Sequence, residues 1–83
     1  MKIIIYGTDS CPWCHKTREF LKKHKVKFVD KNVGRDHKAA AEMIKRSGQM
    51  GVPVIDINGE IIIGYDEKRL KNILNLKRLI VES

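Results

Sequence analysis

Cysteine, proline and aromatic residues are all scarce in this chain of 83 residues, and each scarcity removes a class of protein. Two cysteines cannot staple a small secreted scaffold, so the fold must rest on an apolar core in a reducing setting. Nowhere do apolar residues run together for the roughly 18 positions that a membrane helix needs, and the apolar start Ile3 to Ile5 is too short for a signal peptide. A cytoplasmic protein without a membrane partner is expected. One Trp, two Tyr and two Phe do not alternate with the basic residues, as a platform for stacked bases would require, so no nucleic-acid partner is expected. Acidic residues are also outnumbered, 10 against 17 Lys and Arg, for a net charge of +7. The lysines are spread along the chain, and their summed field attracts anionic substrates and acidic surfaces.

What is present is compatible with one domain, residues 1–83. Lys2 to Tyr6 reads as a buried strand, Gly7 to Ser10 as a turn, and residues 12–24 as a helix with Phe20 and Leu21 turned inward. Residues 26–33 alternate imperfectly and predict a second strand. Asp36 caps a helix that runs to Ser47, with Ala40, Met43 and Ile44 facing the core and Gly48 ending it. Val52 to Ile57 and Glu60 to Ile63 flank Asn58-Gly59, a strong signal for a two-residue type I′ hairpin. Gly64-Tyr65-Asp66 opens a last helix, with Leu70, Ile73 and Leu74 at helical spacing and Leu76, Leu79 and Ile80 continuing it. The order βαβαββα predicts an α/β fold, a four-stranded mixed sheet flanked by three helices.

Cys11-Pro12-Trp13-Cys14 carries the chemistry. Two thiols three positions apart at the junction of a strand and a helix can close into a reversible disulfide, and the unpaired N–H groups and positive dipole end of that helix favour a thiolate. Cys11, at the helix start, projects outward and is expected to attack; Cys14, one turn in, is expected to resolve. Pro12 has no N–H to lose at the first helical position and stiffens the turn. Zinc would need a second ligand pair, which His15, His24 and His37 do not supply, so no metal site is expected. An iron-sulfur cluster held by two chains and a permanent structural bridge are the remaining alternatives, although a bridge closing so short a loop restrains the unfolded chain little. His15 reads as a solvated residue of the first turn with nothing suited to orient its ring.

Cys-Pro-Trp-Cys after the first strand, Gly51-Val52-Pro53 before the hairpin and Gly64-Tyr65-Asp66 before the last helix together resemble the glutaredoxins, of the thioredoxin-like fold. The resemblance runs through essentially the whole chain, and in particular toward small bacterial glutaredoxin-like redoxins. It implies a monomeric dithiol oxidoreductase with no tightly bound cofactor, using glutathione as reductant and acting on disulfide-containing or glutathionylated proteins. It also implies two alternatives: a redoxin reduced by thioredoxin reductase that feeds ribonucleotide reductase, or a dimeric cluster carrier. By position, Cys11 would be the nucleophile and Cys14 the resolving thiol. Val52, ahead of a cis Pro53, would pair its backbone with the cysteinyl part of glutathione. Tyr65 and Asp66 would receive the γ-glutamyl end, with Asp66 also able to cap its helix. Trp13 would flank the groove and Gln49 would reach the glycyl end. Three positions depart from common family usage: Thr8 for lysine, Gly51 for threonine, and Tyr65 for cysteine or threonine.

Overall fold

Four consecutive β-favouring residues, Ile3 to Tyr6, with both faces buried and Gly7 after them, make Ile3–Gly7 an inner strand, β1. The computed structural model describes residues 2–74. After β1 come α1 (Pro12–Lys23), β2 (Val29–Asn32), α2 (His37–Ser47), β3 (Val54–Ile57), β4 (Glu60–Ile63) and α3 (Glu67–Ile73). The strands lie in the order β2-β1-β3-β4. β2 runs parallel to β1, as a helical crossover requires, while β3 and β4 are antiparallel to their neighbours. This is the mixed four-stranded sheet expected from the order of elements, in the thioredoxin-like arrangement that the resemblance implies.

The alternation of β1 divides the core. Ile3 and Ile5 join Phe20 and Leu21 of α1, Ile55, Ile57 and Ile62 of the hairpin, and Leu70 of α3. Ile4 and Tyr6 point the other way, to Met43 of α2 and to Val54. Each buried aliphatic or aromatic side chain contributes about 1.5–3 kcal/mol, so a strand buried on both faces anchors both layers. On the α2 side, Asp56 is buried and paired with Arg46, which also meets Glu42, and Glu42 in turn meets Lys31.

Local chemistry explains the boundaries. Asp36 caps α2 through Oδ1, which accepts the N–H groups of Lys38 and Ala39, and Gly48 ends that helix at φ 75°. Asn58 and Gly59 turn the hairpin with φ 54° and 97°, the positive pair that a type I′ turn demands. Two expectations need correction. β2 begins at Val29 rather than residue 26, because the end of α1 consumes the intervening backbone: Lys25 takes a φ of 57°, and the Val26 N–H donates to Leu21 O at 2.8 Å. Val26 and Phe28 still pack on the core, from a loop. On α2, Ala39 and Met43 are the buried pair, whereas Ile44 lies at the exposed edge. The expected continuation through Leu76, Leu79 and Ile80 lies outside the described residues.

Candidate active site

Cys11 occupies the N-cap of α1 in extended backbone, φ −88° and ψ 113°, with Pro12 next in line as the first helical residue. Its Sγ accepts the N–H of Cys14 at 3.3 Å, the bond that a serine or aspartate oxygen makes at an ordinary helix start. The Cys11 side chain is partly exposed and Cys14 is fully buried, both as free thiols. Burial, reinforced by a hydrogen bond to Cys11, pushes the Cys14 thiol up to about 11, while the backbone of Thr8 and the charge of Arg18 act the other way. One sulfur therefore faces solvent at a helix N-terminus, and the other is held protonated beneath it.

A second segment closes on the cysteines from across the sheet. The Val52–Pro53 peptide is cis, and the Val52 carbonyl oxygen lies 4.0 Å from Cys11 Sγ. The Pro53 carbonyl accepts the N–H of Gly64 at 2.8 Å, which ties the Gly64-Tyr65-Asp66 turn to the same edge. Asp66 caps α3 through Oδ1 and the Arg69 N–H, at 3.1 Å. Tyr65 stacks on Trp13 with ring centroids 6.1 Å apart and meets Phe20 edge-on at 6.2 Å. Burial, then the nearby Glu67 charge, raises the Tyr65 phenol above its ordinary value. Lys16 lies 4.8 Å over the Trp13 ring, a cation on the face of an aromatic ring.

The structure thus brings Cys11, Cys14, Trp13, Val52, Pro53, Tyr65 and Asp66 to one end of the sheet. Gln49 stands apart. Its carboxamide is folded onto its own loop, accepting the Gly51 N–H at 2.7 Å and donating to the Gly51 carbonyl at 3.0 Å. A hollow between α1 and α3, lined by Lys16, shares Tyr65 and Phe20 with this end of the molecule but not the sulfurs.

His15 is not the unoriented residue expected. Its Nε2 lies 2.6 Å from the Asp9 carbonyl oxygen and its Nδ1 3.3 Å from Arg18 Nη1. Nε2 therefore carries the proton and Nδ1 accepts. Arg18 was not singled out from the sequence. It lies largely buried against Asp30, with Nε 2.7 Å from Oδ2 and Nη2 donating to Oδ1 at 3.3 Å and to the Thr8 carbonyl at 3.4 Å. The i, i+3 spacing of His15 and Arg18 on α1 was the available signal; the long-range partner Asp30 had none.

The geometry agrees with relationships that span most of the chain. The Glutaredoxin family model matches residues 3–62. An uncharacterized glutaredoxin-like 8.6 kDa protein in the rubredoxin operon of Clostridium pasteurianum is 47% identical over 72 residues, 87% of this chain and 96% of that one. Glutaredoxin 3 of Escherichia coli K12 is 36% identical over 63 residues, 76% of each chain. The crystal structure of the glutaredoxin (grx-1) from Archaeoglobus fulgidus superposes with a TM-score of 0.81 at 29% identity, covering 88% of this chain and 85% of that one. A cysteine-capped helix facing a Val-Pro edge, on a fold shared from β1 through β4, makes this chain a redoxin of the glutaredoxin family.

Proposed function

We propose that the protein is a dithiol thiol-disulfide oxidoreductase of the cytoplasm that reduces protein disulfides and glutathionylated thiols, with glutathione as its reductant. The observation that carries this reading is the pairing of an outward Cys11 sulfur, held by the Cys14 N–H at 3.3 Å, with the Val52 backbone 4.0 Å away. An extended disulfide substrate can lie along that edge as an added strand. Cys11 thiolate attacks one sulfur of the substrate, the S–S bond breaks, and the other sulfur leaves as a thiolate that takes up a proton. The mixed disulfide is then released by Cys14, leaving a Cys11–Cys14 disulfide, or by glutathione directly. The γ-glutamyl end of glutathione would reach Tyr65 and Asp66, and Trp13 would wall the groove.

A second reading is favoured by Thr8, which offers no cation to a glycyl carboxylate, and by the closure of Gln49 on Gly51. In it, a thioredoxin-reductase-type flavoenzyme reduces the protein, and ribonucleotide reductase is the recipient. Cys14→Ser separates the two. With glutathione, NADPH and glutathione reductase, the variant keeps substantial activity on a glutathionylated substrate, because free glutathione resolves the mixed disulfide. If wild type is inert in that assay yet turned over by NADPH and thioredoxin reductase, and Cys14→Ser is dead with both, the second reading replaces the first.

A further inference from the structure

Gly7 sits where β1 meets the start of α1, and its missing side chain leaves a space that two other groups share. A β-carbon on Gly7 would stand 2.8 Å from Cys14 Sγ and 3.2 Å from Arg18 Nη2. The buried sulfur and the guanidinium therefore converge on one point behind the redox pair. Arg18 is fixed there by a two-point pairing with Asp30 and by the Thr8 carbonyl and His15 Nδ1. The fork is pre-set, so little freedom is lost when a negative charge forms beside it.

We propose that Arg18, held by Asp30, is a positioning residue for the resolving step: it stabilises the Cys14 thiolate at the moment Cys14 attacks the mixed disulfide on Cys11. The inference rests on the reading that Cys11 attacks and Cys14 resolves. In the free dithiol, burial and the hydrogen bond to Cys11 keep Cys14 protonated, and the Cys11 charge adds to this. Once the Cys11 sulfur is bonded to substrate, it carries no charge and no longer receives the Cys14 proton. Burial then opposes ionisation alone, against the Thr8 backbone and Arg18. The charged group that acts on Cys14 in this state is Arg18 from α1, which in turn meets Asp30 from β2 and His15 from α1. Cys14 gives its proton to solvent, its sulfur bonds to Cys11 Sγ, and the bond from Cys11 to the substrate sulfur breaks. The substrate thiolate leaves and is protonated, two electrons having passed from the cysteine pair to the substrate disulfide.

Reduced protein mixed with one equivalent of the aromatic disulfide DTNB tests this in a stopped-flow instrument. The oxidant releases one coloured thiolate when Cys11 attacks and a second when Cys14 resolves, so the two steps are read as successive phases. Arg18→Gln should lower the ratio of second-phase to first-phase rate about tenfold at neutral pH and move the pH midpoint of the second phase up by about one unit, the effect of removing an opposite charge at this range. Arg18→Lys, which keeps the charge and loses the fork, should recover most of the midpoint shift. A second-phase profile in Arg18→Gln that superposes on wild type overturns the inference and leaves the cysteine roles intact. Equal slowing in the Gln and Lys variants, with no shift of midpoint, assigns Arg18 a packing role and also overturns it. A first phase that arises from Cys14, shown by peptide mapping of the trapped adduct, removes the cysteine assignment and the inference together.

Discussion

The sulfur of Cys11 is held by the backbone N–H of Cys14 at 3.3 Å, while the sulfur of Cys14 is buried behind Gly7. Two chemically identical side chains three residues apart are thus given opposite surroundings by one helix start. Iodoacetamide at neutral pH should modify Cys11 and leave Cys14 almost untouched, as read by mass spectrometry of digested protein. Comparable labelling of both would contradict the burial of Cys14.

Burial of Cys14 also has a sign in stability. Its thiol lies at about 11 in the fold against an ordinary 9.0, so the native chain keeps a proton that the unfolded chain releases. Stability is lost as pH rises from about 9 to about 11. Tyr6, pushed to about 12 by burial and by Glu42, acts in the same direction somewhat higher. Cys14→Ala should flatten the lower part of this decline relative to wild type, measured by urea unfolding at intervals of pH. Parallel curves for the two proteins would argue against a raised thiol.

At Gly7, the restriction is steric. Gly7→Ala places a methyl group 2.8 Å from Cys14 Sγ and 3.2 Å from Cys14 Cβ, and neither belongs to the free end of a flexible chain. Overpacking of this kind costs about 1–3 kcal/mol, which a shift in urea midpoint at constant slope would register. A loss below about 0.5 kcal/mol would mean that helix and strand can part without penalty.

Thr8 and Gly51 are the positions to change if glutathione is the reductant. Thr8→Lys supplies a cation for the glycyl carboxylate and should lower KM about 3-fold to 30-fold, equivalent to about 0.7–2 kcal/mol for an accessible charge-assisted contact. Gly51→Thr would put a β-carbon 2.7 Å from Gln49 Oε1, so the carboxamide must swing off the loop. Its two hydrogen bonds to Gly51 are then lost, at about 1 kcal/mol, and the freed amide should lower KM about two- to fivefold, in line with one regained hydrogen bond. Unchanged KM in both variants would move the weight to the flavoenzyme reading.

Most of the architecture was legible in the residues, because its determinants are local. Asn58-Gly59, Asp36 and Gly48 each act on backbone within a turn of themselves, and β1 announces itself by an unbroken apolar run. The late start of β2 was not legible, since Lys25 adopts positive φ without being glycine, and nothing in its type declares it. Ile44 and Ala39 exchange roles because a helix face is set by what it packs against. The site divides in the same way. Cys11 and Cys14 could be read from spacing, and Val52, Pro53, Tyr65 and Asp66 from the family resemblance. The closure of Gln49 on Gly51 depends on a free carboxamide rotor, and the bond from Arg18 to Asp30 joins α1 to β2 through tertiary contact alone.

Asp56 illustrates a buried charge whose role is structural. Its carboxylate meets Arg46 through Oδ2 and accepts the Gly59 N–H at 2.8 Å through Oδ1, so it ties α2 to the hairpin turn. Asp56→Ala should cost about 1–3 kcal/mol, at the lower end for a buried pair because Arg46 remains half in water. Asp56→Asn, which keeps an acceptor for Gly59, should cost less; an equal loss in the two would assign the effect to the ion pair alone.

Trp13 is the single tryptophan of the chain, and it lies between the two cysteines, stacked on Tyr65 and overlain by Lys16. The protein therefore carries a fluorophore at the position where its chemistry happens. On the proposed function, a substrate bound along the Val52 edge, a disulfide between the flanking cysteines, or a ligand that displaces Lys16 should each alter the quenching of the same ring. Mixing the unmodified chain with a disulfide should therefore change its intrinsic emission, without a label that would itself compete for the thiols.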